Sequence, residues 1–516
     1  MRLADVLGAL SLATDLAAGL PMETSLRTCV VATMLARAAG LDRGDLADVY
    51  FTALLRHLGC TAYAHEAAAL TGGDDHDLIR TFEGSDPTRP LQTGAIAVRR
   101  LGAAASIATR VAAVTRALTT PSTAGALAAA QCDQATALAS DLGMSDAVVR
   151  ALGQVYERFD GKGSPAGIAG DALTTVARVL HVANLAEVHH RQRGRGHAEE
   201  EVRRRRGSHL DPAIADVFLS DVDSFWPALE ATSIWDHYLA VEPEPAEVVA
   251  DERLGAVALA FARYADLKSP ARFGHSPAVA RLAAAAARAD GLDAAEVETV
   301  HRAALLHDLG VVSVPNGIWE KEGPLNPAEW ERVRLHAYYT ERILQRVPAL
   351  ASVAAIAGAH HERCDGTGYP RGAKIPPAAR ASRLVACADV YRALIEPRPY
   401  RAALTKTRIA KVLRDEVKAG HLDARSVDCV IAAAEDAPLP ARQPPAGLTS
   451  REVEVLVVLA RGLTNKEIAT SLGISPRTVQ HHIEHIYAKV GVTTRAAAAL
   501  FAVRSDLVEP GVVPGG

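Results

Sequence analysis

The chain has 516 residues, 49% of them hydrophobic and 4% aromatic, with a formal charge of −4. That length exceeds one ordinary core and predicts about three domains. The near-neutral balance excludes a globally basic nucleic-acid binder, so any DNA-binding surface is local. Ala dominates the apolar residues, which favours helices over sheets. Cys29, Cys60, Cys132, Cys364, Cys387 and Cys429 show no CxxC or metal-ligand spacing, which predicts small buried thiols in a reducing compartment. Asp5 and Asp15 interrupt the apolar N-terminal stretch, against a secretory signal, and no uncharged apolar run reaches the ~18 residues of a membrane helix. The expectation is a cytoplasmic protein with no membrane partner.

In chain order, ARAAGLDRGDLADVYFTALLRHLG at 36–59 is answered by ARADGLDAAEVETVHRAALLHDLG at 287–310, and ERFDGKGSPAG at 157–167 by ERCDGTGYPRG at 362–372. The same features in the same order predict a tandem duplication of whole helical domains. Breaks are expected at the charged stretch 191–211, at 241–251 (VEPEPAEVVAD), and at 436–447 (DAPLPARQPPAG), where proline cannot continue a helix. Arg203–Arg206 after Glu199–Glu201 predicts a solvated helix face with local charge pairing. His181, His189, His190 and His197 predict an exposed polar segment. The organisation is then 1–210, a first helical copy; 250–435, a second; 436–447, a linker; and 448–510, a small terminal domain.

From 275 to 401 the second copy spaces out residues of one useful kind. His275 opens a helix, His307-Asp308 ends another, His336 lies on a third, His360-His361 end a fourth, and Asp389 sits in the apolar segment RLVACADVYRAL. Neutral imidazole and carboxylate suit Zn, Mn and Fe. A helical bundle can aim such ligands inward around two ions. Asp389 carries the most weight, because an unpaired carboxylate in an apolar run is costly unless cations meet it. In the first copy, Thr24, Arg56-His57, Val155-Tyr156 and Asn184 stand at the corresponding positions. That copy is expected to sense or dimerise rather than catalyse, with Asp160–Gly163 as a structural turn.

These residues resemble the HD superfamily of metal-dependent phosphohydrolases, with His307-Asp308 as the signature pair. HHERCDGTGYP at 360–370 resembles the motif of its HD-GYP branch. The resemblance covers roughly 270–435, with EKEGPLNPAEWERVRLHAYY and ADVYRALIEPRPYR also typical. It implies hydrolysis of a cyclic dinucleotide, typically cyclic di-GMP, with two divalent ions (Fe, Mn or similar) as cofactors. It also implies His275, His307, Asp308, His336, His360, His361 and Asp389 as ligands. Asp308, as the bridging ligand, and His336 are expected to be catalytic, with Arg398 and Arg401 near the substrate phosphates. Gly366, Gly368, Tyr369 and Pro370 form the substrate loop, or by residue type alone a simple turn. Two positions depart from the family. Val311 replaces a Lys expected near phosphate, which implies weakened activity, and Ala271 replaces the Glu of three-metal members. The alternative is a one-component regulator whose metal domain senses a nucleotide second messenger without turnover.

The terminal segment predicts four short helices. Thr449 with Glu452 and Thr464 with Glu467 read as capping boxes. Ser475 caps a helix with Pro476 in its first turn, and Gly473 supplies the tight turn before it. Cations outnumber anions from 461 to 504. LTSREVEVL…GLTNKEIATSLGISPRTVQHHIEHIYAKVGVTTR closely resembles the LuxR-type DNA-binding domain. The resemblance implies that Pro476–Val490 enters the major groove. Gln480, His481 and Arg477 are then candidate base contacts, and Lys466, Thr478, His482, Lys489 and Arg495 candidate phosphate contacts. It implies a homodimer paired through 494–503 on two DNA half-sites. The fold class expected is all-α: two tandem HD-type bundles followed by a LuxR-type four-helix domain.

Overall fold

The computed structural model describes residues 1–102, 106–119, 122–231, 233–376, 379–435, 445–505 and 507–508. The protein is all-α, and among the described residues the only β pairing consists of isolated bridges. The chain divides into two compact units, Met1–Arg253 and Leu254–Gly516.

In the first unit, α1 (Leu3–Ala17), α2 (Thr24–Ala38) and α3 (Arg43–Leu55) lead into four shorter helices, α4–α7 (Ala64–Thr71, Asp75–Phe82, Pro90–Arg100, Ile107–Thr119). Then come α8 (Ser122–Asp141), α9 (Asp146–Leu152), α10 (Thr175–Arg193), α11 (Arg195–Arg205), α12 (Pro212–Ser220), α13 (Trp226–Leu229) and α14 (Ile234–Ala240). The charged stretch 191–211 is not a break. It forms α11, which packs on α10 and α12. Its charges are met locally: Glu201 pairs with Arg204 and Arg205, Arg206 with Asp216, and Asp211 with Arg178. Arg205 is therefore buried rather than solvated, and so are His181 and His189. The unit continues to Arg253, two residues past the expected break at 241–251.

The second unit holds α15 (Asp251–Asp266), α16 (His275–Ala289), α17 (Ala294–Leu306), α18 (Asn316–Trp319), α19 (Pro327–Leu344), α20 (Ala351–Gly358), α21 (Arg380–Ile395), α22 (Lys406–Lys418) and α23 (Ala424–Glu435). It ends in α24 (Ser450–Ala460), α25 (Asn465–Leu472), α26 (Pro476–Val490) and α27 (Arg495–Arg504). Of the expected linker 436–447, residues 436–444 lie outside the described residues, as do 506 and 509–510 of the terminal domain. All six cysteines are free. No single helix among the described residues is long and apolar enough to cross a membrane.

The two copies share their internal fastenings. The Asp15 carboxylate accepts from Ser25 N–H and hydroxyl, as Asp266 does from Ser276, so each copy pins the start of one core helix to the end of another. Glu157 accepts from the backbone of Ala166 and Ile168, as Glu362 does from Arg371 and Ala373, each closing its glycine-rich loop. The copies differ at α4–α7, which have no counterpart between α17 and α19, where only a 3₁₀ turn and α18 intervene.

Candidate metal centre and nucleic-acid interface

Local signals place the ligands. Asp293 and Glu296 form a capping box that starts α17, and Asn326 and Glu329 one that starts α19. Gly274, at φ 74°, turns the chain so that His275 is the first residue of α16. Gly310 lets α19 approach the turn after α17: a Cβ there would stand 2.1 Å from the His336 carbonyl oxygen. Thr340 fastens the same approach, its hydroxyl donating to His307 O at 3.0 Å and accepting from Gly310 N–H at 2.9 Å.

The structure brings all seven expected ligands together. Asp308 Oδ2 lies 3.2 Å from His307 Nε2 and 3.7 Å from His275 Nε2. Its other oxygen, Oδ1, faces His336 Nε2 at 3.4 Å and His360 Nε2 at 3.6 Å. Asp389 Oδ1 lies 3.1 Å from His275 and 3.7 Å from His307, and Oδ2 lies 3.8 Å from His361 Nδ1. Ligand atoms of His275–His307–Asp308, of His307–His360–Asp389 and of His336–His360–His361 lie within 4.8 Å of one another.

The outer ring nitrogens fix the tautomers. His307 Nδ1 donates to Ala304 O at 2.7 Å, His360 Nδ1 to Ala357 O at 2.6 Å, and His336 Nδ1 to Val333 O. A carbonyl only accepts, so Nδ1 carries the proton and Nε2 offers a lone pair inward. His275 Nδ1 donates to the buried Glu396 carboxylate at 2.8 Å. His307 Nε2 is buried without a hydrogen-bond partner. An orphaned acceptor amid carboxylates and imidazoles fits a cation.

Electrostatics agree with neutral imidazoles at four of the five histidines. Burial pushes His307 down to about 4 and holds His336, His360 and His361 below the ordinary imidazole value. Burial works against protonating His275 too, but Glu396 and Asp389 outweigh it and its pKa is raised. Burial would raise Asp389, yet the hydrogen bond with His275 and the neighbouring His307 and His361 imidazoles hold it well below the carboxylate range.

A cavity of about 410 Å³ opens over the centre, lined by His275, Asp308, His336, His361 and Asp389 among others. Arg398 lines it, donating to Ala271 O at 3.1 Å and Glu396 at 2.9 Å. Arg401 is turned away, its guanidinium on the carbonyls of Ala393, Leu394 and Ala402 at and just beyond the end of α21. Tyr369 lines the cavity with its ring 4.6 Å from that of His361. Gly366 (φ 87°) and Gly368 shape the turn behind it, and a Cβ on Gly368 would sit 2.4 Å from His361 O. Pro370 follows Tyr369 through a cis peptide bond. Val311 is fully buried in the core, its carbonyl accepting from Trp319 Nε1 at 3.2 Å.

Sequence reasoning missed three groups. Arg272 reaches in from the turn before α16, pairs with Asp308, and lies over the Trp319 ring at 5.2 Å. Burial and Arg398 lower its pKa to about 10. Glu396 orients His275, and Trp319 with Trp330 lines the cavity. The quoted stretches EKEGPLNPAEW, which holds Trp330, and ADVYRALIEPRPYR, which holds Glu396, were the available signals.

At the first copy's corresponding positions the donors are gone. Arg56 donates to Thr28 at 2.9 Å, Tyr156 donates to Gln131, and Asn184 Oδ1 is buried without a partner.

The terminal helices carry the expected capping boxes at Thr449/Glu452 and Thr464/Glu467, with Ser475 capping α26 and Gly473 ending α25 at φ 64°. Val479, Ile483 and Ile486 are buried, while Lys466, Arg477, Thr478, Gln480 and His481 are exposed and His482 is half-buried. Gln480 is held between Asn465 and Glu484 at 2.8 and 3.0 Å. Two expected phosphate contacts are held by acceptors of the same domain, Lys489 while exposed and Arg495 while half-buried. Lys489 pairs with Glu452 at 2.6 Å, and Arg495 donates to Leu463 O and, at 3.4 Å, to Leu459 O. On α27, Ala497, Ala498, Ala499 and Leu500 are consecutively buried, so the helix offers no open stripe there for a partner.

Comparison with known proteins adds the following. A family model described as "HD domain" matches residues 122–214 and 260–426, and one described as "Bacterial regulatory proteins, luxR family" matches 446–502. The chain is 30% identical over 419 residues to the 3'3'-cGAMP-specific phosphodiesterase 3 of Vibrio cholerae serotype O1, covering 80% of this chain and 91% of that one. It is 39% identical over 129 residues to the cyclic di-GMP phosphodiesterase of Thermotoga maritima, covering 25% of this chain and 35% of that one. A crystal structure of a cyclic GMP-AMP specific phosphodiesterase of Vibrio cholerae superposes with a TM-score of 0.60 at 27% identity, covering 85% of this chain and 99% of that one.

Proposed function

This chain belongs to the HD domain family, and from that premise we propose that its second bundle, 250–435, hydrolyses a phosphodiester bond of a cyclic dinucleotide while 448–510 binds DNA. The observation that carries the reading is Asp308, whose two oxygens face two separate sets of imidazoles. A carboxylate so placed can be shared by two ions, with His275, His307 and Asp389 on one side and His336, His360 and His361 on the other. Two divalent ions there, iron, manganese or similar, supply an activated water and neutralise charge developing on the phosphoryl oxygens.

The chain's own residues do the rest. Carbonyl contacts keep the Nε2 lone pairs of His307, His336 and His360 turned inward, so no proton has to leave those atoms before ligands form, while Glu396 orients His275. Arg398, on the cavity wall, offers a planar cation to a non-bridging phosphate oxygen. Tyr369 and His361 narrow the entrance and exclude bulk water. With Val311 in the core, position 311 contributes no cation, and turnover is slower for it. The DNA-reading face of α26 carries Arg477, Thr478, Gln480 and His481, with Lys466 beside it on α25. Two half-sites take two chains, so a homodimer is the DNA-bound form, and DNA binding puts the chain in the cytoplasm. The first copy, 1–210, serves as a sensing or pairing scaffold.

A second reading has one observation in its favour. Arg272 already neutralises Asp308, which suits a domain that binds a nucleotide without cleaving it. The deciding experiment loads the purified chain with Mn or Fe and follows cyclic di-GMP and 3'3'-cGAMP by chromatography, beside His307→Ala and Asp308→Ala. Linear dinucleotide formed by the native chain and abolished in both variants supports the enzyme. Rates indifferent to either substitution refute it.

A further inference from the structure

The wall of the cavity is more aromatic than phosphodiester cleavage requires. Aromatic residues are 4% of the chain and there are four tryptophans in all, yet Trp319, Trp330, Tyr369 and Tyr400 line this one cavity. Two of them are already engaged. Tyr369 packs on His361, and Trp319 is held by Val311 O and covered by Arg272. The other two stand open: Trp330 is 45% exposed and Tyr400 63%. Neither ring meets another aromatic ring among the described residues. What distinguishes these two from singly exposed apolar residues is that both stand on the wall of one cavity.

Their positions suit a ligand with two flat ends. Trp330 precedes His336 by six residues on α19, which sets it roughly 9 Å up the helix axis from that ligand. Tyr400 follows Arg398 in the loop after α21, the helix that carries Asp389. The two rings therefore come from two different places in the fold: one from a helix that holds a ligand of the centre, the other from the loop that follows a second such helix. Arg272, Lys321 and Arg398 supply positive charge to the same cavity.

We propose that Trp330 and Tyr400 are stacking platforms for the two nucleobases of a cyclic dinucleotide, and that they give this cavity its preference for a two-base ligand over a base-free phosphoester. This rests on the reading of the second bundle as a cyclic dinucleotide site. Stacking needs a π-face rather than a particular hydrogen-bonding edge, so the platforms accept either purine.

The test measures equilibrium binding of a non-hydrolysable cyclic di-GMP analogue to the full chain loaded with Mn, by calorimetry, so that no turnover intervenes. Trp330→Ala and Tyr400→Ala are each expected to weaken binding by ~5- to 150-fold, the range for one stacked base. Trp330→Phe should recover most of that loss. Tyr338→Ala is the control: its ring is 39% exposed on the same α19 but does not line the cavity, and it should bind as the native chain does. Inorganic phosphate, which has no base, should bind Trp330→Ala and the native chain alike. The proposal fails if both alanine variants match Tyr338→Ala, if phenylalanine gives no recovery, or if phosphate affinity falls by the same factor. A native chain that binds cyclic di-GMP but never cleaves it when metal-loaded sinks the hydrolase and leaves the platforms. A native chain that binds no cyclic dinucleotide sinks both.

Discussion

Gly310→Ala is the sharpest perturbation of the centre, because it touches no ligand yet should displace one. A Cβ at 310 would lie 2.1 Å from His336 O, 2.9 Å from His336 C and 2.9 Å from Thr340 N. All three are main-chain atoms of α19, so no rotamer change can relieve the contact. Ordinary separations are about 3.5 Å, so α19 and the turn after α17 must part by about 1 Å. His336 Nε2 and Asp308 Oδ1 are 3.4 Å apart across that same interface. Overpacking of this kind costs ~1–3 kcal/mol, and a misplacement of ~1 Å at reacting groups costs about 10²-fold in rate. The assay is metal content by mass spectrometry after loading with Mn, together with the thermal unfolding midpoint. Gly255→Ala is the control: a Cβ there meets nothing within 4 Å inside α15, and it should gain ~0.5–1 kcal/mol. Native metal content and midpoint in Gly310→Ala would refute the argument that α17 and α19 are locked in register by that glycine.

Three further outcomes are expected. Glu396→Gln should weaken metal binding by ~10–100-fold through the orientation of His275, and calorimetry showing native affinity would deny Glu396 that role. Glu452, where burial is outweighed by Lys489 and Thr449, has its pKa lowered from 4.5 to about 2. Its contribution to the terminal helices is complete above pH 4.5 and is lost as pH falls toward 2. The midpoint gap between the native chain and Glu452→Gln should therefore be open at pH 7 and close across that window; a constant gap counts against it. Arg477→Ala should weaken DNA binding; loss of a phosphate contact lowers the salt slope by ~1 and loss of a base contact relaxes one position, while unchanged binding removes Arg477 from the interface.

The parts of this molecule legible in its sequence are those whose signal is local. Thr449 with Glu452 and Thr464 with Glu467 declare their helices within four residues, and both boxes form. The ligand set was legible because each member carries its own short motif. What escaped notice depends on distant partners. Glu396 is a polar residue near a helix end until His275, 121 positions away, turns toward it. Arg272 lies in a turn with no periodicity, and only the fold shows that it reaches Asp308. The stretch 191–211 read as a boundary because charge density was weighed without its partners, and Glu201 holding Arg204 and Arg205 makes it interior. Lys489 and Arg495 counted as cations for phosphate, but helix-end carbonyls and Glu452 claim them first.

The two copies together separate what the scaffold needs from what the chemistry needs. Both keep the Asp–Ser staple and the Glu-tied loop, so those contacts belong to the fold. Where the second copy gathers five imidazoles and two carboxylates, the first substitutes a self-sufficient set: Arg27 and Arg191 pair with buried Glu187, and Arg191 reaches Glu83. Such a network needs nothing from outside, since each buried charge has its counter-charge in the chain. The second copy does not balance itself in this way, because His307 Nε2 stays buried with no donor. An unfilled acceptor of that kind costs stability, and the first copy carries unfilled atoms of its own at His57 Nε2 and Asn184 Oδ1. What sets His307 apart is its company: two carboxylates and four further imidazoles stand around it, a donor set that a divalent cation would satisfy.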